Sequence, residues 1–424
     1  MKIKTRDMSY DEVIKLPRHK HKNPKRPSAF FRWLLKFISE GDLKKVNFSY
    51  ESINMDDIKD EPCLVLMNHS SFIDLEIAEK IWYPRPLQIV CTSDGFIGKA
   101  GLMRAIGCIP TQKFVTDLNL LKDMKYSLKT LKSSVLMYPE ASYSFDGTAT
   151  PLPESLGKCV KLLGVPVVMI KTFGAFARDP LYNMLQIRDV DISATVECVL
   201  TPQMAKDMSI EEINELLCKL FSFDYFKWQQ DKKVKIDEPF RADGLNRVLY
   251  KCPHCMIEGK MLGKGTKLTC KACDATYELD EYGYLKAENV EGKFIHIPDW
   301  FRWERECVKE ELINGSYSLS EDVDIRMMVD RKSIYNVGSG RLLHNKEGFT
   351  LTGLDGKLSY QQTPQSSYSL YSDYYWYELG DMICIGDMKT LYYCFPKSGA
   401  DIVAKTRIAA EELYKIDRKN KGFK

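Results

Sequence analysis

Between residues 60 and 225 short apolar runs alternate with stretches of helical periodicity. The runs CLVLM (63–67), LQIVC (87–91), SVLMY (134–138), VPVVMI (165–170) and TVECVL (195–200) read as buried strands. Helices are expected near 74–83, 115–131 and 155–163, and again at 209–221 behind a capping box of Ser209 with Glu212. Strand and helix in strict alternation predict an α/β layer structure on a mostly parallel sheet. The pattern changes at 231–243, a charged, proline-containing linker, and again near Gly292. Beyond Pro298 the helix-like WFRWERECVKEELI gives way to DIRMMV, GFTLTG, YWYEL, MICIG and TLYYCF, separated by turn residues. These predict an antiparallel sheet or small barrel, followed by a helix at 401–416. No internal repeat is visible.

An earlier helix is expected in SAFFRWLLKFIS, with Ser28 as N-cap. Its Phe30, Trp33, Leu34, Phe37 and Ile38 fall on one face at i, i+3, i+4, i+7, i+8 spacing. From 13 to 39 there are eight Lys or Arg residues and no acid. Two readings fit: a helix packed on the core behind a solvated basic leader, or an interfacial helix lying in a membrane surface, its leader attracted to anionic lipid. The C-terminal pattern, many strands and one terminal helix, resembles the pleckstrin-homology-like architecture. Its tyrosines 368, 371, 374, 375 and 377 either line a ligand face or, as aromatic residues in strands usually do, pack.

Composition narrows the classes. With 424 residues, 44% hydrophobic and 28% charged, the chain is neither one small domain nor disordered. Sixty-one basic against 58 acidic residues give +3, so no nucleic-acid partner is expected from bulk charge. No apolar run reaches the ~18 residues of a spanning helix, and the N-terminus lacks a secretory pattern. The expected location is therefore the cytoplasm, with any membrane contact peripheral and on the cytoplasmic face.

The strand ending at Met67 runs into Asn68-His69-Ser70-Ser71-Phe72-Ile73-Asp74. On one ideal helix His69 and Asp74, five apart, diverge by about 140°. With His69 on the strand-to-helix loop, Ser70 or Ser71 caps the helix and Asp74 in its first turn can face the imidazole, as a base and its orienter require. Ser71-x-x-Asp74 is also an ordinary capping signature. A second signal comes from SVLMY, which ends in Pro139-Glu140-Ala141-Ser142-Tyr143-Ser144. In parallel sheets ligands bind at the carboxyl ends of strands, which is where His69 and Glu140 are both expected.

These segments resemble the glycerolipid acyltransferases of the lysophosphatidate acyltransferase type, marked by N-H-x-x-x-x-D and, some seventy residues on, F-P-E-G-T/S-R-S. Asn68, His69 and Asp74 match the first motif, and 138–144 the second with substitutions. Gly107-Cys108-Ile109-Pro110-Thr111-Gln112-Lys113 is similar to the family's G-x-I-P-x-x-R segment, and Gly164-Val165-Pro166-Val167-Val168 to its V-P strand. The resemblance implies transfer of a fatty acyl group from a thioester of coenzyme A or acyl carrier protein to a lysophospholipid hydroxyl. The acceptor it implies is 1-acylglycerol-3-phosphate, giving phosphatidate. His69 is then general base and Asp74 its orienter, with Asn68, Glu140, Ser142 and Lys113 at the acceptor. Where the family has Arg the chain has Lys113 and Tyr143, and Ala141 stands for its Gly. Arg104 and Lys99 are candidates to supply the missing charge.

Nine of the thirteen cysteines are scattered among apolar neighbours and read as reduced core residues. The other four form Cys252-x2-Cys255, fourteen residues, Cys270-x2-Cys273, the spacing of a zinc ribbon. Four thiolates leave no open position, so the expected zinc is structural, His254 is surplus, and the alternative is a reduced or disulfide-linked loop. The expected organisation is a basic leader with interfacial helix (1–45), an acyltransferase domain (46–230), the ribbon (247–283) and a β-rich domain (297–420). The rival to an enzyme is a non-catalytic adaptor, a degenerate acyltransferase-like domain whose ribbon and β domain bind a lipid or protein partner. A third reading keeps the chemistry but moves it to an amine or another head group.

Overall fold

The computed structural model describes residues 2–58, 60–115, 117–399 and 401–420. The chain forms two compact units: one comprises Lys20–Asp179 and Ile187–Tyr225, the other the residues up to His19, Pro180–Gln186 and those from Phe226 onward.

In the first unit seven strands make one sheet: β1 (Ser49–Ile53), β2 (Leu64–Met67), β3 (Leu87–Thr92), β4 (Cys108–Thr111), β5 (Ser134–Met137), β6 (Val167–Phe173) and β7 (Ser193–Leu200). Their order is β1-β7-β6-β2-β5-β3-β4, parallel throughout except between β6 and β7. The mixed α/β unit with a mostly parallel sheet is the expected fold class. The alternation in β2 shows why the sheet carries helices on both faces. Val65 and Met67 join a core with Leu43 of α1 (Ala29–Lys45) and Ile77, Ala78 and Trp82 of α2 (Asp74–Trp82). Leu64 and Leu66 join another with Met124 and Leu128 of α3 (Leu118–Lys129), Val160 of α4 (Leu156–Leu163) and Ile213 and Leu217 of α5 (Ile210–Phe221). A strand buried on both faces must be apolar at every position, which is why LVLM shows no period of two.

Helix α1 does not bury its apolar stripe. Phe30, Trp33, Phe37 and Ile38 are 61%, 51%, 64% and 60% exposed, while Arg32, Ser39 and Leu43 are buried. The helix is held at the end of α2 by polar contacts: Arg32 donates to the carbonyls of Pro84 and Arg85, and Lys36 lies over the Tyr83 ring at 4.7 Å. The helix thus packs on the core, through Leu43, but with its apolar stripe turned outward. Ser28 occupies the N-cap position in extended backbone but makes no side-chain capping bond.

In the second unit the segment around the four cysteines forms a four-stranded antiparallel sheet. It is tied to two helices, Ile297–Asn314 and Ile402–Asn420. Trp300 Nε1 donates to the Lys251 carbonyl at 3.0 Å, the Lys251 amide to Glu304 at 2.8 Å, and Lys405 Nζ pairs with Glu258 at 2.7 Å. These contacts join the expected ribbon and β-rich domain within one unit. The C-terminal sheet runs antiparallel through seven strands from Leu358–Gln362 to Tyr371–Asp373, and among the described residues its two end strands share no ladder pairing. The sheet curls on itself: Tyr360 of the first end strand lies 5.0 Å from Tyr392, and Gln362 accepts from the Gly386 amide at 3.0 Å. Thr5–Asp7, assigned from sequence to the leader, pairs with Ile334–Asn336 of this sheet. Of the tyrosine cluster Tyr371 and Tyr374 are buried and pack, while Tyr368, Tyr375 and Tyr377 are half-buried. Of the nine scattered cysteines Cys218 is exposed, contrary to a core role. No helix among the described residues is long and apolar enough to cross a membrane.

Candidate active site and metal centre

The register of β2 with β5, Leu66 opposite Met137, delivers Asn68-His69 and Tyr138 side by side at the carboxyl edge of the sheet. Between β2 and α2 the chain turns, and Asp74, the first residue of α2, folds its carboxylate back onto that turn. Its Oδ2 accepts from the Ser70 amide at 2.8 Å, the Ser71 amide at 3.0 Å and His69 Nδ1 at 3.1 Å. A carboxylate only accepts, so the proton sits on Nδ1 and Nε2 keeps its lone pair. Ser71 is not the N-cap, a position Ile73 takes; its hydroxyl accepts from the Ile73 amide at 3.3 Å and donates to Asp179, which Arg178 in turn holds at 2.9 Å. Burial holds the His69 pKa below its ordinary value, Asp74 opposes that shift, and the charge of Lys113 adds to it. His69 is therefore an uncharged base at neutral pH, with its side chain 17% exposed and that of Asp74 1%.

The Pro-Glu segment closes over this histidine. Glu140 accepts from the His69 amide at 3.0 Å through one oxygen, and through the other from the Thr150 amide at 2.8 Å and its hydroxyl at 3.2 Å. The imidazole lies between two phenol rings, Tyr138 at 4.1 Å and Tyr143 at 3.9 Å between centroids, with interplanar angles of 26° and 29°. Phe72, 54% exposed, rests against Tyr143 at 5.3 Å.

Residues 49–171 match the family model described as Acyltransferase. They form an acyltransferase domain. No curated protein matches the chain. Among solved structures, the crystal structure of the 1-acyl-sn-glycerophosphate (LPA) acyltransferase PlsC from Thermotoga maritima aligns at a TM-score of 0.38 and 15% identity, over 45% of this chain and 76% of that one.

Several residues expected at the acceptor have protein partners. Asn68 in the acyltransferase domain is buried and turned toward β6, its Oδ1 accepting from the Thr172 amide at 2.8 Å and the Thr172 hydroxyl at 3.1 Å. It clasps two strands together. Glu140 is likewise engaged with protein donors and fixes the backbone of His69. Arg104 donates to the carbonyls of Lys22 and Asn23, at 3.2 and 2.5 Å, and so fastens the basic leader. Ser142 is buried in the Pro-Glu loop. Lys113 is the cation whose charge is felt at His69. Sequence reasoning passed over Tyr138, Tyr143, Thr172 and Asp179. The two tyrosines lay inside a quoted motif, but only the fold shows that they flank the imidazole. Thr172 and Asp179 lie beyond the matched segment and carry no local signal.

The four cysteines come together in the other unit. Their sulfurs all lie within 4.8 Å of one another, with Cys252 to Cys273 at 3.8 Å and Cys255 to Cys270 at 3.7 Å. A tetrahedron with metal–sulfur bonds of ~2.3 Å has edges of about 3.8 Å, so the donor set fits a bound metal ion. The two knuckles repeat each other. The Met256 amide donates to the Cys252 carbonyl at 2.9 Å and the Asp274 amide to the Cys270 carbonyl at 2.9 Å, both residues having left-handed backbone, φ 65° and 59°.

Proposed function

We propose that the acyltransferase domain moves a fatty acyl group from a thioester of coenzyme A or acyl carrier protein to the free hydroxyl of a lysophospholipid. The acceptor implied by the family resemblance is 1-acylglycerol-3-phosphate, giving phosphatidate. The observation that carries this reading is the Nδ1 bond from His69 to Asp74, which leaves Nε2 as an uncharged base at the carboxyl edge of the sheet. As the acceptor oxygen attacks the thioester carbonyl, Nε2 takes its proton; collapse of the tetrahedral intermediate breaks the C–S bond, and the imidazolium returns the proton to the thiolate. Asp74 holds the tautomer and balances the imidazolium charge, and Lys113 supplies a cation for an anionic head group. The acceptor is a membrane lipid, so the exposed Phe30, Trp33, Phe37 and Ile38 of α1, behind a basic leader, serve as an interfacial anchor. In the cysteine cluster we place a structural zinc, which four thiolates saturate.

The test is single-turnover transfer of a labelled palmitoyl thioester to a panel of lysolipids on vesicles, with wild type beside His69→Ala. Product that depends on His69 supports the reading and names the acceptor. No product with any acceptor, from folded and metal-loaded protein, refutes it and leaves the adaptor. For the anchor, full-length protein is sedimented with anionic vesicles. Trp33→Glu with Phe37→Glu should abolish recovery in the pellet, and recovery equal to wild type refutes the anchor.

A further inference from the structure

We propose that Tyr138 and Tyr143 act as a ring clamp on the general base, positioning residues that fix the plane of the His69 imidazole and stabilise it as the imidazolium. The proposal rests on the reading of His69 as base, and it concerns residues to which that reading gives no role. The Cβ–Cγ bond and the hydrogen bond from Nδ1 to Asp74 hold one edge of the ring, while the Nε2 edge can still tilt. Contacts on both faces limit that tilt. Both centroid separations, 4.1 and 3.9 Å, are shorter than the ~4.5–7 Å usual for aromatic pairs, and both rings lie within 30° of parallel with the imidazole.

The loop is built to deliver both faces. Tyr138 follows the end of β5, and the Ala141 amide donates back to the Tyr138 carbonyl at 3.0 Å. Ala141 has left-handed backbone at φ 56°, which reverses the chain and returns Tyr143 to the opposite side of the same imidazole. Glu140, between them, holds the His69 amide, so one short segment grips the base at backbone and at both ring faces. Phe72 supports the outer side of Tyr143.

A positive charge over the face of a tyrosine within ~6 Å of its centroid is stabilised by the ring quadrupole. The clamp therefore favours the imidazolium formed as the acceptor loses its proton, more than the neutral ring that precedes it. Besides Asp74, the charged and titratable groups facing His69 are Glu140 at its amide, Lys113 from the loop after β4, and the two tyrosines themselves. Burial opposes the charged form, and the rings act with Asp74 against it.

The experiment is a pH–rate profile of single-turnover palmitoyl transfer to lysophosphatidate, with full-length protein on phosphatidylcholine–phosphatidylglycerol vesicles. Wild type, Tyr143→Leu, Tyr143→Phe and Tyr138→Leu are compared. Each leucine variant should lower kcat about 3- to 30-fold at little change in KM and move the acid limb to lower pH. Tyr143→Phe, which keeps the ring face, should recover most of the rate and the limb. Should a leucine variant fold poorly, the NMR signals of the His69 ring, identified by their loss in His69→Ala, decide the matter in Tyr143→Phe and wild type. Ring currents from two faces displace them upfield in both. Ordinary chemical shifts overturn the clamp, as do leucine variants with the rate and profile of wild type, or a loss confined to KM. His69-dependent transfer with an unaffected Tyr143→Leu refutes the clamp alone, whereas no transfer by wild type refutes the base reading and the clamp together.

Discussion

Replacing Asp74 by Asn isolates the charge of the orienting carboxylate from its geometry. The Oδ2 atom accepts three hydrogen bonds, from the amides of Ser70 and Ser71 and from His69 Nδ1. An amide oxygen in the same place accepts all three, so the turn and the tautomer survive in Asp74→Asn. The negative charge opposite the imidazolium does not. Opposite charges about 4 Å apart at an effective dielectric constant near 20 attract by about 4 kcal/mol, and at about 1.4 kcal/mol per decade this is up to about a thousandfold in rate. Both side chains are well buried, so solvent screening removes only part of it. The expected outcome is a kcat lower by about 10²- to 10³-fold, with an acceptor KM close to that of wild type. Asp74 is among the groups that raise the His69 pKa, so in Asp74→Asn the acid limb of the profile moves to lower pH. Single-turnover transfer with enzyme in excess measures the chemical step directly. A kcat within tenfold of wild type, in a protein with an unchanged melting temperature, refutes the role of Asp74 as the charge that balances the imidazolium.

Asn68→Ala leaves the buried Thr172 amide without its acceptor, so it should cost about 1–3 kcal/mol in urea unfolding while the acceptor KM stays within about twofold; a large KM effect returns Asn68 to the acceptor site. Ala141→Gly removes the side chain from a left-handed residue and should raise stability by up to about 1 kcal/mol, read as an increased melting temperature. Cys270→Ser should abolish metal in the purified protein and lower the melting temperature by about 5–10 °C, as the loss of several kcal/mol implies; a metal-free variant with the melting temperature of wild type refutes a structural metal. His344 is buried, shares a hydrogen bond with the Tyr317 hydroxyl through Nδ1 and has its pKa pushed down to about 3 by burial. The unfolded chain binds its proton near pH 6.5 and the native one only near pH 3, so stability is lost as pH falls through that window at about 1.4 kcal/mol per pH unit. His344→Phe should lose about one proton's worth of this slope, measured by urea unfolding at several pH values.

The layered α/β unit and the cysteine pairs were legible in sequence because each rests on local periodicity or spacing. LVLM and SVLMY announce buried strands, and C-x2-C twice announces four ligands, whatever else the chain does. The pairing of His69 with Asp74 was legible for a similar reason: one turn connects them, so a strand-to-helix loop suffices to make them meet. The capping detail was not, because the Ser71 hydroxyl, besides accepting from the Ile73 amide, donates to Asp179, a residue 108 positions away.

Residue type at the carboxyl edge of the sheet was thus set by sequence, and the use of each residue by tertiary structure. Asn68, Glu140 and Arg104 all carry polar groups fit to bind a lipid head group, yet the register of β2 with β6, the Thr150 loop and the leader supply partners that claim them first. Tyr143 shows the converse, a side chain with no periodic signal that a reversal at Ala141 brings onto the imidazole. The apolar stripe of α1 was plain in sequence, but the same i, i+3, i+4 pattern marks a helix facing a core and one facing lipid. Only the packing of α1 on α2 through Arg32 and Lys36 decided which face is left outside, because a helix period records that two faces differ and not what lies against each.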